Sequence, residues 1–351
     1  KKKRRKKLVE KGKNKNEVIN GVNVHRSFTI GRRTGAIWRV INYYSYAISS
    51  TLYASRLKKD YDVVFVNQLS PVMMACAGIK YKVKHNKKLV LYCLDLWPDS
   101  LCAGGVQSGG TVYNLFKKIS DRIYKKADKI LVTSRNFTKY FVEKFGIDEN
   151  KIDYLPQYAE ELFKPEPYVK SETVQLTFAG NIGAAQSVET IIRAAKLLEA
   201  ENVCFKIAGD GSALEDCKKL ASELQVKNLE FLGRLPVEQM PELYRKSDAL
   251  LVTLSDDPLI SLTLPGKIQS YMAAGKPIIG AINGETPEII AEANCGICVR
   301  AEDSEALANG IKEFIKTDIE QAGKNAYEYY ENNFKKEKFI EKLIKELENN
   351  K

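Results

Sequence analysis

No run of 18 or more apolar residues occurs in the 351-residue sequence, so no segment is suited to cross a bilayer as a helix. A secretory apolar core is missing as well. Histidine is nearly absent: His25 and His85 are the only two, neither has a partner apparent in sequence, and neither is assigned to catalysis. The seven cysteines are odd in number and scattered, which points to a reducing compartment. Cys295-Gly-Ile-Cys298 has metal spacing but no second pair and no nearby histidine, so it reads as core packing; no metal and no cofactor are expected. Acidic residues are scarce in one half only. Residues 1–165 hold 33 Lys and Arg against 14 Asp and Glu, a net of +19, whereas residues 166–351 hold 22 against 30, a net of −8. That asymmetry calls for an anionic partner at the first half: a membrane surface, a nucleic acid or a phosphorylated acceptor. No nucleic-acid recognition motif accompanies the charge, so a nucleic-acid partner is not expected. The run KKKRRKK at 1–7 reads as a solvated face.

What is present is a chain long enough for two cores, with 44% hydrophobic residues. EVINGVNVHRSF (17–28) reads as short strands around an Asn20-Gly21 turn. The segment Trp38–Leu57 has helical period and mixes Trp38, Tyr43, Tyr44, Tyr46 and Tyr53 with Arg39 and Arg56, flanked by Arg32, Arg33, Lys58 and Lys59. Such a helix suits an anionic membrane interface, and equally a helix packed on a sheet by its apolar face. Apolar strands at 61–67, 88–96 and 129–133 then alternate with helical segments, as in a parallel sheet whose ligands gather at the carboxyl ends of the strands. Pro165 and Pro167 mark a linker, after which strands near 174–179, 203–208, 229–232, 249–254 and 277–281 repeat the alternation. The expected organisation is an α/β chain of two Rossmann-like doubly wound domains facing a cleft, at 1–163 and 164–325. A C-terminal helix within 326–351, helical over Ala326–Leu347, is expected to return to the first domain.

Two loops carry the chemistry. Gly180-Asn-Ile-Gly-Ala-Ala-Gln186 follows a strand and leads into a helix, which is an anion site by geometry. Pro265-Gly-Lys267 opens a short helix ended by Gly275, so that free N–H groups and one full positive charge meet at a single helix start. Asp95 ends a strand and is the candidate for orienting or deprotonating an acceptor hydroxyl, with capping of the next turn as the alternative.

PGKIQSYMAAGKPIIGAINGE (265–285), together with DLWPDS (95–100) and GNIGAAQ (180–186), resembles family 4 retaining glycosyltransferases of the GT-B fold. The likeness is greatest to their WbuB-like branch, which builds bacterial surface polysaccharide. The resemblance implies a hexosyl or N-acetylaminosugar transferase that uses a UDP-sugar and a lipid-linked, polyprenyl diphosphate acceptor in capsule or O-antigen synthesis. It would lie peripherally at the cytoplasmic face of the plasma membrane. The implied donor residues are Gly180, Asn181, Gly183, Gln186, Asp210, Arg234, Leu235, Pro265, Lys267 and Ser270. Trp38, Arg39, Tyr43 and Arg135 fall on the acceptor or membrane side. The sequence departs from the family at Leu262 and Ser270, where two glutamates are usual, and at Asn181 and Gln186, where Arg and Lys are usual. It also begins late relative to the family, so the first domain is expected to lack its first strand, loop and helix. These departures keep open a degenerate GT-B partner subunit; a GT-B sugar-nucleotide epimerase is the remaining alternative.

Overall fold

The computed structural model describes residues 16–351 apart from positions 32 and 34; the basic run at 1–7 and Arg32 lie outside the described residues. Two units emerge. One comprises residues up to Val132 with Thr138–Tyr154 and Ile344–Lys351; the other comprises Thr133–Phe137 and Leu155–Leu343.

The first unit opens with an antiparallel hairpin, β1 (Asn16–Ile19) and β2 (Val22–His25). Asn20 and Gly21 both take positive φ, as a two-residue hairpin turn requires. Helix α1 (Ala36–Arg56) precedes four parallel strands, β3 (Val63–Gln68), β4 (Lys88–Cys93), β5 (Lys129–Val132) and β6 (Ile152–Tyr154), which lie side by side in that order. They are linked by α2 (Cys76–His85), α3 (Thr111–Tyr124) and α4 (Asn136–Phe145). After Lys88, every residue of β4 is buried, because helices cover both faces of such a sheet. Just beyond β4, Trp97 is 1% exposed, edge-on to Phe116 and Tyr43 with ring centroids 5.6 and 6.0 Å away. Asp99 follows and collects Tyr113 (2.9 Å), Tyr140 and Lys144 around one carboxylate.

In the second unit six strands are all parallel: β7 (Val174–Asn181), β8 (Val203–Asp210), β9 (Leu229–Gly233), β10 (Ala249–Thr253), β11 (Ile278–Ala281) and β12 (Gly296–Val299). Their spatial order is β12-β11-β10-β7-β8-β9. The order reverses between β7 and β10, and at such a switch point the adjoining loops diverge and leave a crevice. Connecting helices are α5 (Val188–Leu197), α6 (Leu214–Glu223), α7 (Met240–Arg245), α8 (Lys267–Ala273), α9 (Glu285–Ala293) and α10 (Ser304–Phe314). Alternate strand residues feed opposite faces. Phe178, Phe205, Ile207 and Leu251 pack with residues of α5 and α10, whereas Ala179, Ala208, Leu250 and Val252 pack with residues of α8 and α9.

The single helix expected over 326–347 is two helices, α11 (Ile319–Asn333) and α12 (Lys336–Asn349). The chain turns at Phe334, where φ is −122° and ψ is 4°. Its ring is 2% exposed against Tyr329, so burial of that side chain prevails over continued helical hydrogen bonding.

Candidate functional site

The site begins where β7 and β8 end together. Gly180 pairs with Gly209 and Asn181 with Asp210, so the two backbones run side by side to their last residues. A Cβ on Gly209 would overlap the Gly180 carbonyl oxygen, and one on Gly211 would overlap that of Ile182. Only glycine permits this approach. The loop after β7 is held by amides. Gln186 Oε1 accepts from Asn181 Nδ2 at 2.8 Å and from the Gly183 N–H at 3.2 Å, while the Gln186 carbonyl accepts from Thr253 Oγ1 at 2.5 Å. Asn181 and Gln186 thus pair with each other and shape the loop. A cavity of about 650 Å³ lies beside it, lined by Gly180, Asn181, Ala208 to Gly211, Arg234, Leu235 and Met240.

Helix α8 brings the charge. Residues 268–274 are all buried, and the Tyr271 hydroxyl lies 3.2 Å from the Ala179 carbonyl and 3.4 Å from that of Leu251, pinning the helix to β7 and β10. This anchor directs Lys267 back under the glycine loop. Its Nζ sits 4.0 Å from the centroid of the Phe178 ring and 3.1 Å from the point a Gly180 Cβ would occupy. The amine is buried and has no hydrogen-bond partner among the described residues. Burial pushes the ammonium down to about 8. Holding a cation out of water without a counter-ion is costly, and the aromatic face offsets only part of that cost.

One turn beyond Lys267, Ser270 Oγ donates to Glu160 Oε2 at 3.4 Å. Of the donor residues read from the sequence, Gly180, Asn181, Asp210, Arg234 and Leu235 line the cavity. Gly183 and Gln186 shape the loop, and Lys267 lies under it. Pro265 precedes α8 and its carbonyl accepts the Ile268 N–H at 3.0 Å, a backbone role. Ala208, Gly209, Gly211 and Met240 also line the cavity and are not among the donor residues read from the sequence. The Gly209-Asp-Gly211 at the end of β8 was the available signal for the two glycines; nothing in the local sequence marked Met240.

In the first unit Asp95 is half-buried just beyond the carboxyl end of β4, and its Oδ2 accepts the Trp97 indole N–H at 3.1 Å. Tyr43 packs against Trp97, Arg33 stacks over Trp38 at 4.3 Å, and Arg39 is exposed. The outward face of α1 is apolar: Val40, Tyr44, Ile48 and Leu52 follow one another at four-residue steps and are all exposed, Ile48 by 58% and Leu52 by 52%. Arg135, in the second unit, is engaged by acids. Its N–H donates to the buried Glu285 carboxylate at 2.9 Å and its guanidinium meets Glu292 at 3.0 Å, while Ser134 Oγ donates to Glu285 at 2.6 Å. Among the described residues no group of three or more His, Cys, Asp or Glu side chains is placed to hold a metal, and no helix is long and apolar enough to cross a membrane.

Two family models match, that of the glycosyl transferases group 1 over residues 160–337 and that of Glycosyltransferase Family 4 over residues 11–157. WbjE of Pseudomonas aeruginosa, named a probable glycosyltransferase, is 30% identical over 250 residues, which are 67% of this chain and 62% of that protein. The chain therefore spans somewhat under two thirds of WbjE. WcaI of Escherichia coli K12, named as a colanic acid biosynthesis glycosyl transferase, is 23% identical over 91% of this chain and 82% of its own length. Among solved structures, a glycosyltransferase from Rickettsia africae superposes with a TM-score of 0.71 at 18% identity, covering 91% of this chain and 84% of that one. HepE of Anabaena, solved with UDP and glucose, gives 0.69 at 15% identity with the same coverages.

Proposed function

Because the chain belongs to the glycosyl transferases group 1 and has the GT-B fold of two parallel-sheet α/β units, we propose that it transfers a sugar from a UDP-sugar to a lipid-linked acceptor in bacterial surface-polysaccharide synthesis. The observation that carries this reading is the buried Lys267 amine beneath the Gly180 loop, which has no hydrogen-bond partner among the described residues, beside a cavity of nucleotide size. In the reaction the bond between the sugar anomeric carbon and the diphosphate oxygen breaks, and a bond to the acceptor oxygen forms. UDP departs with its charge balanced by Lys267 and the loop N–H groups. Asp95 orients the acceptor hydroxyl or takes its proton. Membership of the WbuB-like branch is part of the same reading, supported by the motifs at 95–100 and 265–285, and retention of configuration comes with the family resemblance alone. WcaI supports polysaccharide synthesis as the setting, and HepE supports UDP as the nucleotide.

The lipid-linked acceptor and a peripheral position at the cytoplasmic membrane face rest on the first unit. The apolar outward face of α1 is flanked by Arg33, Arg39 and Arg56, a combination that favours an anionic interface. An apolar hollow of about 300 Å³, lined in part by Tyr53, Leu57, Tyr61, Phe65 and Tyr81, adjoins the same helix. The test is release of UDP when the protein meets UDP-sugars and polyprenyl diphosphate-linked glycans in anionic vesicles. Release only in the presence of both substrates is expected; none with any UDP-sugar refutes the reading.

A further inference from the structure

A separate hollow of about 420 Å³ lies in the first unit, lined by Asn114, Lys117, Lys118 and Asp121 of α3 and by Lys144 and Phe145 of α4. Three ammonium groups around one cavity repel one another unless acids answer them. Lys144 is answered: its Nζ meets the Asp99 carboxylate and lies 2.5 Å from the Tyr113 hydroxyl. Asp121 is already engaged, its Oδ1 pairing with Lys125 at 2.6 Å. Lys117 and Lys118 have no ion pair and no hydrogen bond among the described residues. One amide N–H of Asn114 is held by the Gly109 carbonyl at 2.7 Å, which fixes that side chain at the wall.

Consecutive helix positions point about 100° apart, so two adjacent lysines that border one cavity flank it from different sides. A concave wall also strengthens their field relative to that of lysines on an open helix face. A carboxylate ligand would balance only one of the two uncompensated charges. A phosphomonoester carries about −1.5 to −2 at neutral pH with three acceptor oxygens, and balances both. We infer that this hollow binds a phosphomonoester group, held by Lys117 and Lys118 with Asn114 and Lys144 at its wall. It belongs to a different unit from Lys267, and the inference takes nothing from the donor-site reading. Leu115 is exposed one turn before Lys118, so an apolar chain attached to the phosphate would find a surface beside it. A soluble phosphomonoester and a phosphatidic acid headgroup present the same chemistry to the lysines.

Two probes test the assignment: glycerol 3-phosphate by titration calorimetry, and vesicles of phosphatidylcholine with either phosphatidic acid or phosphatidylglycerol, matched in total charge, by sedimentation. Each is applied to the full chain and to Lys117→Met/Lys118→Met, whose exposed positions tolerate Met within a helix. For a soluble source, the double variant should bind glycerol 3-phosphate about tenfold or more weakly, while sedimenting with both anionic vesicles as the unaltered protein does. For a lipid source, the unaltered protein should prefer phosphatidic acid over phosphatidylglycerol, and the double variant should lose that preference. Either result supports the phosphate site and names its source. Asn114→Phe fills the hollow and leaves both ammonium groups in place, so it should weaken the same probe; unchanged binding there assigns the effect to surface charge and overturns the inference. Equal binding of both probes by the unaltered protein and the double variant also overturns it, as does acetate bound as tightly as glycerol 3-phosphate.

Discussion

Replacing Lys267 by Met separates function from stability, because the two should move in opposite directions. Met is as good a helix former as Lys and nearly as long, so α8 and its contact with Phe178 persist. What disappears is a buried ammonium with no hydrogen-bond partner among the described residues. Its displacement from 10.5 to about 8 corresponds to about 3 kcal/mol at neutral pH. Relaxation and water entry reduce that, so the variant should be more stable by about 1–3 kcal/mol at pH 7. The lysine's folded value lies below its unfolded one, so the unfolded chain binds more protons between pH 8 and 10.5. Wild-type stability therefore rises through that window, and the advantage of the variant, constant below pH 8, closes by pH 10.5. Urea unfolding with hydrogen exchange at α8 amides reads this within the second unit. UDP affinity should fall by about 1.5–3 kcal/mol, roughly ten- to a hundredfold. A variant that binds UDP normally, or that is destabilised at pH 7, refutes the argument.

UDP affinity of the unaltered protein should hold steady below pH 8 and decline above it as the Lys267 amine loses its proton in the free protein, which calorimetry at pH 7 and pH 9 checks. Gly209→Ala forces two strand backbones apart and should cost about 3 kcal/mol or more, together with UDP binding; a variant of ordinary urea midpoint contradicts the packing. Ser134→Ala removes a hydrogen bond to the buried Glu285 carboxylate and should destabilise by about 1.5–3 kcal/mol in the same assay. The protein should sediment with anionic vesicles and not neutral ones, less so as salt rises, and Leu52→Asp on the outward face of α1 should abolish this without altering the far-UV spectrum. Equal sedimentation with both lipids removes the membrane reading.

The sheet architecture was legible because the strands are short segments rich in apolar residues, continuous in Val63–Val66 and Ala249–Val252 and interrupted only by Gln175 and Thr177 in Val174–Ala179. The glycine loop and Lys267 were legible for a related reason: helix starts after strands collect N–H groups, and few residue types fit there. Three features could not be read along the chain, since each depends on a partner far away in sequence. Phe334 breaks a helix because of the core it enters. The Asn181–Gln186 pair could be seen as two lost cations but not as one clip, since the loop must fold back to join them. Glu160 meets Ser270 across 110 positions. On α1, the aromatic residues drew notice, yet the outward stripe is mainly aliphatic. Which face of a helix points outward is settled by the sheet beneath it.

The chain has two tryptophans, and both belong to the first unit. Trp97, sealed between Phe116 and Tyr43 with its indole N–H on Asp95, should emit at short wavelength, while the less buried Trp38 under Arg33 should emit to the red and answer first to a soluble quencher. Intrinsic tryptophan emission is therefore a reporter confined to one half of the molecule. A denaturation curve taken by fluorescence and one taken by circular dichroism sample different parts of the chain, and any gap between their midpoints measures how independently the two units melt.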